Sequence, residues 1–386
     1  MKKICFITGT RADYGIMAPI MREIEKSPEA CLQIIATNMH LSPDFGMTVN
    51  EIESDGFKVD VKIESLVPGS TPASTVRSMA KVEEGLAEAF ELLQPDLVVI
   101  LGDRYEALAS ASAAVVFNIP IAHLHGGETT EGAIDDAFRH AITKLSNYHF
   151  ASTPQYAEKI ISMGEDPTGV FLSGAPGAEI TGEEIPGLEN ELNLEFEQKT
   201  GINPWEPFII FAMHPSTMLP DKGLSEVKAT LTALDPYINQ GYKILVTMPN
   251  SDPGSTEIFK LIEKWITLHS QSSTPISLVS SLGSRLFHYA LERASAIIGN
   301  SSAALIEAPS HRLPAVNVGV RQKGRAHGMT VIDAPGDSQS IGRALSAALS
   351  LEMKAVLMGL TVSSLNPYYK ESSSSFIAQK LIEIIC

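Results

Sequence analysis

Short apolar runs, each closed by a glycine or polar turn and followed by a stretch of helical spacing, recur along almost the whole chain. In the first half these runs predict strands at 4–8, 32–36, 97–101, 119–124, 148–151 and 170–173. Amphipathic spacing predicts helices at 15–26, 75–93, 105–117, 134–146 and 154–163 between most of them. Strands alternating with helices of this length make parallel sheets covered on both faces. Between 176 and 204 the rhythm fades, and from Glu179 to Glu197 there are seven Glu residues and no Lys or Arg. A solvated connection is expected there. The rhythm then restarts with strands at 208–212, 244–247, 276–279, 296–298, 315–318 and 330–332. The chain therefore reads as two doubly wound α/β domains, 1–176 and 205–367, joined by an acidic linker, 177–204. The last helix, 368–386, is expected to return to the first domain. Ligands of such sheets bind beyond the carboxyl ends of the strands, so two domains facing one another would share a central cleft.

Composition narrows the class. A chain of 386 residues with 44% hydrophobic and 19% charged residues is ordinary globular material, long enough for two cores. Its net charge of −16 argues against a nucleic-acid or anionic-membrane surface and makes every cationic loop informative. Cys5, Cys31 and Cys386 form neither a disulfide framework nor a zinc pattern. Met1-Lys2-Lys3 leads straight into a strand without the features of a signal peptide, and residues 107–124 are interrupted by Ser110, Ser112, Asn118 and Pro120. A cytoplasmic location is expected.

The chemistry-bearing residues cluster at strand ends. Thr8-Gly9-Thr10-Arg11 places a guanidinium and backbone N–H groups at a helix start, which suits an anion; pairing of Arg11 with a surface carboxylate is the alternative. The loop is neither GxGxxG nor a P-loop. Leu101-Gly102-Asp103-Arg104 puts a carboxylate at the end of a buried strand, where it serves catalysis or caps a helix. The segment from His123 to Asp136 holds two His, a diglycine and four carboxylates in fourteen residues. Its glycines would let the backbone approach a ligand, and alternation would put His123 and His125 on one side. Crowded carboxylates suit paired acid and base work. Asp135 and Asp136 also lie at i,i+4 from Arg139 and His140, the spacing of structural ion pairs. The segment matches no standard zinc spacing, and no metal is expected.

In the second half, Phe211-Ala212-Met213-His214-Pro215 ends a strand with one His, and Met248-Pro249-Asn250 ends the next. Ile298-Gly299-Asn300-Ser301-Ser302 leads into a helix, a phosphate-compatible arrangement. Glu307, one to two turns further, suits a vicinal diol such as ribose. Arg321, Lys323 and Arg325 concentrate three cations in five residues.

Taken together, TGTRADYG, LGDRYE, HLHGGETTEGAIDDAFRHAITKLS, FAMHP, IGNSSAALIEAPS and RQKGR resemble the hydrolysing UDP-N-acetylglucosamine 2-epimerases of bacterial sialic-acid biosynthesis and the epimerase half of the animal bifunctional enzyme. The resemblance runs essentially end to end. It implies a GT-B-like fold, no cofactor, a UDP-sugar substrate, UDP as product and a homodimer or tetramer. It further implies that Arg11, Ser301, Ser302 and Arg321 neutralise the diphosphate, that Glu307 takes the ribose hydroxyls and that His214 lies near the leaving phosphate. Asp103, Glu128, Asp135 and Asp136 would be the acid–base carboxylates. His125 joins this set, although the animal enzyme has glutamate at its position and lacks one residue before the Asp-Asp pair. Tyr14, Arg104, His123, Asn250, Phe287, Gln322 and Lys323 complete the expected binding set. The implied reaction eliminates UDP to give a 2-acetamidoglucal and then adds water with inversion at C2, releasing N-acetylmannosamine for surface polysaccharide. Related enzymes act on a 2,4-diacetamido-trideoxy UDP-sugar of the legionaminic-acid route, and their motifs overlap these. A GT-B glycosyltransferase is a further alternative. A nucleotide-sugar sensor would not need the carboxylates, and a dehydrogenase would need GxGxxG.

Overall fold

The structure, a computed structural model, describes residues 1–179, 188–249, 251–269 and 276–385. The chain forms two compact units. The first comprises Met1–Glu128, Ile134–Glu179 and Lys370–Cys386; the second comprises Thr129–Ala133 and Ile180–Tyr369.

The first unit runs β1 (Lys2–Thr8), α1 (Arg11–Lys26), β2 (Ala30–Thr37), α2 (Val49–Ser54), β3 (Val61–Ile63), α3 (Pro72–Leu93), β4 (Leu97–Leu101), α4 (Tyr105–Val116), β5 (Ile121–Leu124), α5 (Asp135–Leu145), β6 (Tyr148–Ala151), α6 (Pro154–Ser162) and β7 (Val170–Leu172). Its seven strands are parallel in the order β3-β2-β1-β4-β5-β6-β7. Side chains alternate between two cores, as the pleat requires. Ile4, Phe6, Leu97 and Val99 pack with Met17, Ile20 and Ile24 of α1, whereas Cys5, Ile7, Val98 and Ile100 pack with Val82, Leu86 and Phe90 of α3. Burial on both faces is why these strands read as unbroken apolar runs.

The second unit runs α7 (Leu188–Thr200), β8 (Phe208–Ala212), α8 (Leu224–Asn239), β9 (Lys243–Thr247), α9 (Ser255–Leu268), β10 (Ile276–Val279), α10 (Gly283–Arg293), β11 (Ala296–Gly299), α11 (Ala303–Ile306), β12 (Ala315–Val318), β13 (Val331–Ala334), α12 (Ser338–Ala348), α13 (Leu351–Met358) and α14 (Val362–Leu365). Its six strands are parallel in the order β10-β9-β8-β11-β12-β13. The final helix, α15 (Ser373–Ile385), belongs to the first unit, where Ile377, Ala378 and Leu381 enter the α1 core. Among the described residues no helix is long and apolar enough to cross a membrane.

Two elements depart from expectation. β3 has three residues, with Lys62 at its centre, too short and polar to stand out as a run. The stretch read as a solvated linker contains α7 from residue 188 on. Leu192, Phe196 and Thr200 share one helical stripe, and Phe196 is buried with its ring 5.5 Å from Phe208 and 5.6 Å from Tyr289. Its acidic side chains face cations instead of water alone: Glu195 pairs with Arg285 and Glu189 with Arg293. Removing a buried Phe of this kind costs about 3–5 kcal/mol, so the helix is part of the second unit's core.

Both sheets reverse direction once. The chain builds outward from β1 to β3 and returns beside β1 as β4; likewise it builds from β8 to β10 and returns beside β8 as β11. The loops after β1 and β4, and after β8 and β11, therefore flank the two switch points.

Candidate functional site

At the first switch point the α1 N-terminus is already occupied by protein. Thr10 caps the helix, and Asp13 accepts from the Gly9 and Thr10 amides at 2.9 and 2.8 Å and from the Thr10 hydroxyl at 2.6 Å. The Gly9 and Thr10 amides are thus filled by an internal carboxylate, and the nearby cation is Arg11. Half-buried Arg11 makes no hydrogen bond or ion pair with another described residue. Burial lowers its pKa, partly offset by the Glu51 carboxylate. Tyr14 corrects the sequence reading: it is 4% exposed, packs edge-on to His40 and Phe57, and donates its hydroxyl to Asp55 at 2.6 Å. It is a core residue of α1.

The β4 loop interlocks with this one. Arg104 Nε donates to the buried Glu106 at 2.6 Å, and a side chain at Gly9 would fall 2.6 Å from Glu106 Cγ. Burial raises the Glu106 pKa, with Arg104 opposing. Asp103 does not cap α4, whose N-cap is Arg104. It pairs instead with Arg139 of α5, a guanidinium 2% exposed, while the Asp103 side chain is 21% exposed. A buried cation thus fixes a carboxylate whose other edge meets solvent.

His123 is a second correction. It is fully buried in β5, with Nε2 2.7 Å from the Gly102 carbonyl and Nδ1 3.3 Å from the Thr143 hydroxyl. Burial lowers its pKa to about 3, with the Gly102 contact opposing, so the ring is neutral and donates to Gly102. It holds the Asp103 loop from beneath and leaves no edge for a ligand. The diglycine also serves the protein. A Cβ at Gly126 would sit 2.8 Å from His123 Nδ1, and one at Gly127 would meet Ile160 and the Tyr156 carbonyl at 2.7 and 2.8 Å.

β5 ends at Leu124, and His125 turns into the left-handed region (φ 62°), so strand alternation does not extend to it. His125 Nδ1 lies 2.8 Å from Oε1 of the fully buried Glu128. Asp135 and Asp136 open α5. Asp135 is buried, whereas Asp136 faces His140 at 3.5 Å, the expected i,i+4 pair; Arg139 reaches Asp103 rather than pairing only within its helix.

The second switch point is organised by Asn300, a buried amide. Its side chain accepts from the His214 amide at 2.7 Å and donates to the His214 carbonyl at 2.9 Å; its own carbonyl accepts from Arg321 Nη1 at 3.0 Å and Gln322 Nε2 at 2.8 Å. Glu226 ties the same loops, accepting from the Ser216 hydroxyl at 2.9 Å and the Val320 amide at 3.2 Å. Arg325 donates to Gln322 at 3.0 Å. The buried Nε of Arg321 has no hydrogen-bond partner among the described residues.

Half-buried Ser301 and Ser302 precede α11, which is a single four-residue turn rather than the expected longer helix. Burial pushes the Glu307 carboxyl up to about 7, and it makes no hydrogen bond or ion pair with another described residue. Phe287 is half-buried against the second unit's core. Lys323 is exposed and pairs with Glu131 at 2.7 Å. Asn250 lies outside the described residues.

The Thr129–Ala133 segment packs within the second unit. The Glu131 amide donates to the Lys323 carbonyl at 3.1 Å, the Met218 amide to Gly132 at 3.3 Å, and a side chain at Gly132 would run into the Val320 carbonyl and Arg321 Cα. Among the described residues no group of three or more His, Cys, Asp or Glu is arranged to hold a metal.

Sequence reasoning passed over Ser152, Glu226 and the hub role of Asn300. Asn300 carried a signal, an amide between a buried strand and two hydroxyls; Ser152 and Glu226 carried none.

The chain matches the family model described as UDP-N-acetylglucosamine 2-epimerase over residues 22–382. It is 35% identical over 333 residues to the GDP/UDP-N,N'-diacetylbacillosamine 2-epimerase (hydrolyzing) of Campylobacter jejuni, covering 86% of this chain and 84% of that one. It is 35% identical over 350 residues to the UDP-N,N'-diacetylbacillosamine 2-epimerase (hydrolyzing) of Legionella pneumophila, covering 91% and 89%. The crystal structure of Methanocaldococcus jannaschii UDP-GlcNAc 2-epimerase in complex with UDP-GlcNAc and UDP shares the fold, with TM-score 0.80 and 18% identity over 99% of each chain.

Proposed function

Because the chain belongs to the UDP-N-acetylglucosamine 2-epimerase family, we propose that it is a hydrolysing 2-epimerase of a UDP-linked 2-acetamido sugar, with the 2,4-diacetamido-trideoxy sugar of the bacillosamine type as its substrate. The two relatives at 35% identity, both hydrolysing and both named for that sugar, support this choice over UDP-N-acetylglucosamine. UDP-N-acetylglucosamine is the second reading, favoured by the family description and by the sugar bound in the structural neighbour. On either reading the enzyme works in the cytoplasm, as a homo-oligomer, on a precursor of surface polysaccharide.

The carrying observation is Glu307. A carboxyl that burial pushes up to about 7, without a partner among the described residues, is unfavourable in the free protein. Ribose hydroxyls would supply the missing donors. In the same unit Arg321, Ser301 and Ser302 would receive the diphosphate. Gln322 is already bonded to Asn300 and shapes this loop, and Lys323 is held by Glu131.

The reaction follows in two steps. A base removes the C2 proton, the electron pair forms a C1–C2 double bond, and the C1–O bond breaks with its pair leaving on UDP. Water then adds its hydroxyl to C1 while a proton returns to C2 on the opposite face. Asp103, His125, Glu128, Asp135 and Asp136 form the acid–base set, and His214 lies with the nucleotide-binding residues. Preorganised cations facing the growing diphosphate charge would supply the largest share of rate acceleration.

Incubation with each UDP-sugar in D2O, followed by NMR, tests this. Free UDP and a C2-deuterated, epimerised sugar are expected, faster from the diacetamido substrate. Both UDP-sugars remaining intact and undeuterated would refute the proposal; faster turnover of UDP-N-acetylglucosamine would reverse the choice of sugar.

A further inference from the structure

One buried network of the first unit ends in an atom with nothing to bond. Ser152, the residue after β6, donates its hydroxyl to Glu128 Oε1 at 2.6 Å, and the same oxygen faces His125 Nδ1 at 2.8 Å. Glu128 is 0% exposed, Ser152 1% and His125 5%. With Nδ1–H given to the carboxylate, the neutral imidazole carries its lone pair on Nε2. That nitrogen is buried and has no hydrogen-bond partner among the described residues. The ring is held by more than this contact, because the His125 amide donates to the Phe150 carbonyl at 3.1 Å and the backbone is left-handed. Buried polar atoms are rarely left without a partner, and an oriented lone pair at the end of a relay suits a substrate atom.

We infer that His125 Nε2 is the base that takes the C2 proton, and that Glu128 and Ser152 are positioning residues behind it. The inference rests on the 2-epimerase reading. The proton leaves C2 for Nε2, the C2–H electron pair becomes the C1–C2 double bond, and the C1–O pair departs on UDP. Glu128 holds the Nδ1 side of the ring and stabilises the imidazolium as it forms, as a buried carboxylate does for a catalytic histidine elsewhere. Delivery of a proton to the opposite face then falls to another group of the acid–base set. Glu128 thereby changes role from the sequence expectation: it holds the base and is not the base. Among the described residues, Glu128 and His123 are titratable groups that act on His125, and His123 is neutral throughout the working range.

The test pairs turnover with 15N NMR of the histidines in the intact protein, His125 being assigned by its loss in His125→Gln. Wild type is expected to show a neutral His125 protonated at Nδ1. His125→Gln should lower kcat by about 10²–10⁴-fold, the usual contribution of a general base, with the UDP dissociation constant unchanged. Glu128→Gln removes the charge that favours imidazolium. It should therefore move the acidic limb of kcat/KM to lower pH. Ser152→Ala should broaden the tautomer preference and lower kcat with little change in KM, and Ser152→Thr should restore both. Protonation at Nε2 in wild type, or an acidic limb unmoved by Glu128→Gln in a folded variant, would overturn the assignment. Because the tautomer is read without substrate, its outcome stands apart from whether either UDP-sugar is turned over.

Discussion

The two switch points are built from the same topology and opposite chemistry. In the first unit, Arg11 apart, the charged groups at the strand ends have partners inside the protein: Asp13 against the backbone amides before α1, Glu106 against Arg104, Arg139 against Asp103 and Glu128 against the His125 ring nitrogen. In the second, a neutral amide, Asn300, joins the loops, and the ionisable groups Glu307 and Arg321 keep unmet bonding capacity. A region that moves protons needs carboxylates and imidazoles fixed by partners that set their protonation. A region that receives a charged nucleotide gains from leaving a carboxyl and a cation unsatisfied until the ligand arrives. On the proposed function, similar sheets separate proton transfer from nucleotide binding by what closes their strand ends.

The sharpest way to break it is to remove the fastening on each side. Arg139→Met strips the buried cation from Asp103, and breaking a buried ion pair costs about 3–5 kcal/mol. Asn300→Ala leaves the amide and carbonyl of His214 without their partner, a loss of about 1–3 kcal/mol by the usual figure for an orphaned buried polar group. Urea denaturation should rank them in that order. Turnover should collapse in Arg139→Met with UDP binding retained, whereas Asn300→Ala, which keeps the backbone carbonyl that Arg321 and Gln322 use, should weaken UDP binding about tenfold through the displaced His214 loop. Equal stability losses, or UDP binding lost in Arg139→Met, would remove the distinction.

A smaller effect is expected at the segment that belongs to both descriptions. The chain leaves the first unit after Glu128, spends Thr129–Ala133 in the second, and returns at Ile134, one residue before Asp135. Gly132 lies flush against the backbone of Val320 and Arg321, and Glu131 is fastened to Lys323. Gly132→Ala should therefore disturb the Arg321 loop and the acid–base loop at once, reducing UDP affinity and kcat together by roughly tenfold for a sub-ångström displacement. Isothermal titration with UDP beside steady-state kinetics would register this. A change in kcat alone would show that the segment serves only the first unit.

The sequence disclosed which loops matter better than which atoms meet. Buried parallel strands are continuous apolar runs, so their ends, and hence the Asp103, His125, His214 and Ser301 loops, are legible by eye. Contacts across the fold leave no such mark. Arg139 stands four residues after Asp135 and looks like its helical partner, yet it reaches Asp103, thirty-six positions back. Tyr14 sits in a motif that resembles a binding loop but lies on the buried stripe of α1 with Met17, Met21 and Ile24. Gly126 looks like room for a ligand and is room for His123. The acidic run ahead of β8 hid a helix because its glutamates outnumber the few residues, Phe196 foremost, that bury it.

The finest contrast is between binding and stability at Glu307. Its folded value of about 7 lies above the ~4.3 of an unfolded glutamate. The native state therefore holds the proton more tightly, and stability is greatest below the unfolded value and declines as pH rises through 7. At pH 8 the ionised carboxylate costs about 3–4 kcal/mol by the gap between the two values, a penalty that Glu307→Gln removes. Glu307→Gln should accordingly melt higher than wild type at pH 8 and equally at pH 4.5. The ribose hydroxyls bond more strongly to a charged carboxylate than to the single neutral carbonyl of glutamine, so UDP affinity should fall in the variant, and in wild type it should weaken toward tenfold per pH unit below 7. Calorimetric melting and UDP titration across pH 5.5–8.5 measure both. A variant that binds UDP as tightly as wild type, with no pH dependence in either, would move the ribose site away from Glu307 and leave its raised pKa a property of the second unit's packing alone.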